Sequence, residues 1–178
     1  MTADPRFRVP LLFLSALALH LALIPVLRVG GVAPDVMLLL AVAGGLVGGP
    51  VRGAVLGFTA GIAVDVFLRT PMGLSALVFT LVGYTVGIVS TGVLTPSWYL
   101  PILTASLASA AGVVLYAFVG AMLGQPMVSR RLVTIVGVVA VGNALLAFPV
   151  IRVVTWAMGA DTGLVSDIRG RRARADWR

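Results

Sequence analysis

The chain has 178 residues, of which 60% are hydrophobic and 11% charged, with 21 Gly, 10 Pro and no Cys. Soluble chains average about 45–50% apolar and about 25% charged residues, and a domain of this length buries only about 70% of its surface. A water-soluble globular protein and a disordered chain are both excluded, and the lack of Cys removes disulfide frameworks, thiolate zinc sites and cysteine nucleophiles. The net charge of +7 rests wholly on Arg, with neither Lys nor Glu present. It implies no nucleic acid, because in a membrane chain the position of the charge matters more than its sum.

A bilayer core of about 30 Å takes about 20 apolar residues in helix. Taken in chain order, uncharged runs predict an all-α polytopic membrane protein with six transmembrane helices, at about 9–28, 35–49, 52–68, 72–94, 98–124 and 131–152. Together they make an integral membrane domain over 1–160, followed by a basic cytoplasmic tail over 161–178. Proline marks the punctuation, since it lacks an amide hydrogen and clashes with the preceding turn. Pro25 and Pro34 bracket the first loop, Pro50, Pro71, Pro96 and Pro126 fall at the next four, and Pro10 suits a first helical turn. Pro149 lies late in the sixth span and is expected to kink or end it.

Arginine sets the orientation. With the N-terminus in the cytoplasm, six crossings put Arg6, Arg8, Arg52, Arg152 and the five Arg of the tail inside, against Arg28, Arg69, Arg130 and Arg131 outside. That asymmetry obeys the positive-inside rule, so both termini are expected in the cytoplasm. The first span exceeds the usual length of a signal-peptide core and reads as a retained anchor.

Glycine spacing in the third span is the strongest local pattern. Gly53, Gly57, Gly61 and Asp65 recur every four residues and form one row along a helix. Such a row admits another helix to backbone contact, either from a partner or from the fold itself. Gly83/Gly87 and Gly120/Gly124 repeat the spacing singly. If Gly48-Gly49-Pro50 is a hairpin apex, Asp35 and Asp65 each lie fifteen residues from Pro50, roughly 22 Å along a helix, and so at matching depth. Asp35, after Pro34, suits a helix cap and Asp65 an i,i+4 pair with Arg69. The alternative is a polar outer cluster that receives a partner.

His20 stands mid-span with no carboxylate expected at its depth, so it is read as bonding a neighbouring helix, and Asn143 likewise. There is no G-x-S-x-G elbow, no H-E-x-x-H, a single His, and six scattered Asp. An enzyme is not expected, nor a metal or cofactor. Arg169, Arg171, Arg172 and Arg174 form a polybasic stretch that either lies on anionic lipid or docks a cytoplasmic partner.

The run Pro34-Asp35, Gly57-Phe58-Thr59-Ala60-Gly61-Ile62-Ala63-Val64-Asp65, Pro71-Met72-Gly73-Leu74 and Gly83-Tyr84 resembles the rod shape-determining protein MreD family. The likeness covers about fifty residues, and outside them it is one of hydropathy alone. It implies a non-enzymatic scaffold of the cell-elongation machinery in the bacterial plasma membrane. Such a protein binds MreC, and the pair links the MreB filament inside to RodA and its transpeptidase outside. The resemblance also implies a fold similar to transporter S-component bundles. Pro34, Asp35, Gly53, Gly57, Gly61, Asp65, Gly73 and Gly83 are then the expected partner-contact or helix-packing residues. The runner-up is the substrate-binding S-component of an energy-coupling-factor vitamin transporter, which would need an aromatic and polar pocket beneath capping loops. A lone channel or transporter would need more polar lining than the chain supplies.

Overall fold

The computed structural model describes residues 5–26, 32–67, 71–93, 99–125 and 131–159. Among the described residues five helices carry the fold: α1 Pro5–Val26, α2 Val36–Phe67, α3 Leu74–Val93, α4 Leu100–Met122 and α5 Leu132–Met158. The last four are long and apolar enough to cross a membrane, and the described part of α1, Pro10–Ala22, is apolar but shorter.

Six spans were expected; among the described residues four helices are long and apolar enough to cross a membrane, and one of them is a bent pair. The stretches at 35–49 and 52–68 are two arms of α2, 36–48 and 50–67, joined at a bend on Gly49 (φ 78°, ψ −175°). That backbone region is open in practice to glycine alone, and Pro50 then starts the second arm with its preset φ. One residue makes the reversal, so no loop parts the arms. The expected apex at Gly48-Gly49-Pro50 lies on this bend. Beyond it the arms close on each other: a Cβ added to Gly53 would lie 2.7 Å from the Gly45 Cα.

The first arm is the hub. Every residue from Val36 to Gly45 is buried, and α2 touches each of the other four helices. A helix that is apolar on all sides is stable only when enclosed in this way or bathed in lipid. The outer surface is equally apolar. Val133 is 81% exposed and Leu145 76%, and Leu14, Val55, Leu107 and Phe148 are each more than half exposed. Patches of that extent belong against hydrocarbon. Hydroxyls on this surface turn inward: Ser15, Thr59 and Thr85 donate to the carbonyls of Leu11, Val55 and Leu81, one turn back, at 2.8, 3.0 and 2.8 Å. Without water, a carbonyl of the same helix is the acceptor within reach.

Other boundaries follow caps rather than charges. The sixth span was expected to end near 152 or at Pro149, yet α5 continues to Met158. Arg152 does not interrupt it, because its guanidinium lies 6.0 Å from the centre of the Phe148 ring. The stop is Gly159, in the left-handed conformation (φ 59°) that commonly closes helices. Gly124 (φ 76°) follows the end of α4 in the same way, with open space at its would-be Cβ, while Gly120 is buried inside the helix.

Candidate functional site

The glycine row of the second arm is filled by α3. A Cβ on Gly53 would strike the Gly83 carbonyl, one on Gly57 the Phe79 carbonyl, and one on Gly61 the backbone of Ala76. A Cβ on Gly83 would in turn lie 2.8 Å from the Gly53 carbonyl carbon, and one on Gly87 would strike the backbone of Pro50. The two helices run antiparallel, backbone on backbone, which maximises dispersion between chains in lipid. A groove for a partner's helix was expected here as one alternative. The structure fills the row from within, so no second chain fits against it. The Gly83/Gly87 pair belongs to the same seam, and Ser90 extends it by donating to the Gly45 carbonyl at 3.2 Å.

Asp65 completes the row by holding the start of α3. Its carboxylate is 2% exposed. Oδ2 accepts from the Gly73 and Ala76 amides at 2.9 and 3.2 Å, and Oδ1 from the Ser75 amide at 3.1 Å. These are the orphan donors that every helix start presents, beside the positive end of its dipole. Gly73 sits at φ +96° with open space around its Cα, so conformation and not crowding demands glycine there. The partner expected for Asp65, Arg69, lies outside the described residues.

Asp35 begins α2 as a cap, its Oδ1 accepting from Met37 and Leu38 amides at 3.1 and 3.0 Å. The Pro34-Asp35 pair also seats on α5. A Cβ on Gly142 would lie 2.7 Å from the Pro34 Cγ. Next to it Asn143, fully buried, donates through Nδ2 to the Asp35 carbonyl at 3.1 Å and to Ser109 Oγ of α4 at 2.9 Å. Asn143 therefore bonds neighbouring helices, as expected, and ties three of them. Nothing in the spacing of Gly142 or Ser109 announced this.

The two carboxylates lie at the same end of the bundle, where a cavity of ≈ 250 Å³ opens beside Asp35. His20, Asp35, Ser75, Phe79 and Tyr116 contribute to its wall. His20 was expected to lack a carboxylate at its depth. Instead it lies near the end of α1, level with the start of α2, and its Nδ1 is 3.9 Å from Asp35 Oδ1. That is too long for a hydrogen bond, and Nδ1 has no other partner. Among the described residues no group of three His, Asp or Glu comes together that could hold a metal ion. Arg169, Arg171, Arg172 and Arg174 lie outside the described residues. Comparison with protein-family models, with curated proteins and with solved structures yields no match.

Proposed function

We propose that the chain is a non-enzymatic membrane scaffold of the cell-elongation machinery, of the MreD kind. It binds MreC and through it connects MreB to RodA and the elongation transpeptidase. One observation carries the reading. Pro34, Asp35, Gly57, Gly61, Asp65, Gly73 and Gly83, where the sequence resembles that family, all act in one helix-packing unit of bent α2, α3 and the α5 seat. Their work is architectural, as a scaffold requires. The membrane is the bacterial plasma membrane, crossed six times if each arm of α2 counts as one crossing. Both termini lie in the cytoplasm, the cavity end faces out, and the basic tail rests on anionic lipid.

Because α3 occupies the glycine row, MreC binds another face of the bundle. The test is capture of MreC by the tagged chain from native membranes, with cell width scored on depletion. Capture together with widened cells supports the scaffold, and no capture at normal protein level overturns it.

The cavity with its Phe79, Tyr116, His20, Asp35 and Ser75 wall favours a second reading, a vitamin-binding S-component. The genes beside this one separate the two: MreB and MreC partners for the scaffold, transporter ATPases for the S-component.

A further inference from the structure

The cavity at the Asp35 end has a wall built to hold something. Ser75 is 1% exposed, and its Oγ has no hydrogen-bond partner. Nearby, His20 Nδ1 is buried without a hydrogen bond, 3.9 Å from Asp35 Oδ1. A buried hydroxyl and ring nitrogen without hydrogen bonds are each costly, so two facing one space are an anomaly unless that space is filled by polar atoms. The Asp35 side chain, 27% exposed, keeps part of its carboxylate accessible. Phe79 and Tyr116 add aromatic surface to the wall, and Leu38, Val64 and Val139 complete it with aliphatic surface.

Charge selects among ligands. Three helices, α2, α3 and α5, start at this end, and each start carries roughly half a positive charge. Those of α2 and α3 are each met by a carboxylate, from Asp35 and Asp65. On the wall itself Asp35 is the one described carboxylate, and His20 is the one described residue able to carry a positive charge. The wall offers acceptors: the Asp35 carboxylate, the Ser75 and Tyr116 hydroxyls and a His20 ring nitrogen. An anion would have to share the space with the Asp35 carboxylate. A protonated amine would find Asp35 for its charge, Ser75 and His20 for its hydrogens, and two aromatic rings for a cation–π or stacking contact. The volume of ≈ 250 Å³ limits it to a small molecule, below the span of ordinary drug-sized sites.

We propose that this cavity is a binding site for a small organic cation, an alkyl or aryl amine or an amidine, held by Asp35, Ser75 and His20. The site is independent of the scaffold reading, which a chain without any ligand would satisfy equally well.

The test uses the full chain in lipid nanodiscs and follows its unfolding midpoint with benzylamine, ethylamine and guanidinium as cations, and with benzyl alcohol and benzoate as neutral and anionic isosteres. At tenfold excess over Kd, a binding cation raises the midpoint by about 3 °C. The proposal expects that shift with at least one cation and not with the isosteres. It also expects Asp35→Asn, which keeps the cap, to weaken binding tenfold or more. Should Asp35→Asn fail to fold, Ser75→Val serves instead: it keeps the backbone amide on Asp65 but removes the hydroxyl, and is expected to weaken binding several-fold. No shift with any cation would mean that water alone fills the space. Equal shifts with benzylamine and benzyl alcohol would mean apolar partition. Either result, or unchanged cation binding in both variants, overturns the proposal. None of these outcomes alters MreC capture, so failure here is distinguishable from failure of the scaffold.

Discussion

The Asp65 carboxylate sits 2.9 Å from the amide of Gly73, eight residues further along the chain, and so holds the start of the next helix from the end of the previous one. A capping residue ordinarily stands beside the helix it caps. Here the chain leaves α2, turns, and returns under its own carboxylate, which fixes where α3 begins and in which register it meets the glycine row.

Removing that acceptor strands three amides at once. Asp65→Ala is expected to lower stability by about 1–3 kcal/mol, read as an earlier unfolding midpoint in detergent and a lower protein level in cells. Asp65→Asn keeps one acceptor oxygen and recovers part of the loss. Unchanged midpoints in both would remove Asp65 from the account of α3.

The seam tolerates no added carbon. Gly57→Ala places a methyl group on the Phe79 carbonyl, and the helices must part, at about 1–3 kcal/mol. Gly137 of α5 has nothing within 4 Å of its would-be Cβ, so Gly137→Ala is the neutral control. Size-exclusion profiles after graded heating should separate the two. In the same assay Gly61→Leu loses folded protein before any effect on MreC is measurable.

At the bend, geometry alone is at stake. Gly49 has nothing closer than 4.0 Å to its would-be Cβ, but its φ of 78° strains any other residue. Gly49→Ala should cost about 1–3 kcal/mol with no steric clash to relieve. Shrinking the neighbouring Thr91 to Ala therefore rescues nothing, and rescue in the double variant would refute a backbone cause.

Asn143 joins α5 to α2 and α4. Polar pairs between membrane helices average about 0.6 kcal/mol, reaching about 1.7. A cycle of Asn143→Leu, Ser109→Ala and the double variant should give a coupling within that range, and zero coupling would show the bond to be idle.

The absence of native Cys permits a clean topology experiment. A single Cys placed at Thr2 and another at Asp176 should both react with an impermeant maleimide only after the membrane is opened. Labelling of one end in intact cells would exclude the arrangement with both termini inside.

Much of the fold was legible where chemistry is local. The Gly48-Gly49-Pro50 apex, the cap at Asp35 and the helix-bonding role of Asn143 each depend on one or two residue types whose backbone or hydrogen-bond needs are narrow. What faces what was not legible. In a chain that is apolar all round, lipid and core attract side chains alike, so the pattern does not reveal which face is inward. Thus the glycine row was recognisable as a contact surface while its occupant, α3, was not. His20 was misjudged for the same reason: its depth was counted along α1 alone, without the tertiary level of the α2 start. Arg152 was taken for a boundary because charge usually marks one, whereas Gly159 sets the end of α5.

The enclosed first arm has a consequence for biogenesis. Its thirteen residues, 36–48, would reach about 20 Å, well short of a hydrocarbon layer, and alone they would make a poor insertion segment. Folded against 50–67 through a single-residue reversal, the two can enter the bilayer together as one wedge. The shorter limb is then sheltered from lipid as the remaining helices close around it, so thickness matching falls to the outer helices and the innermost one is free of it.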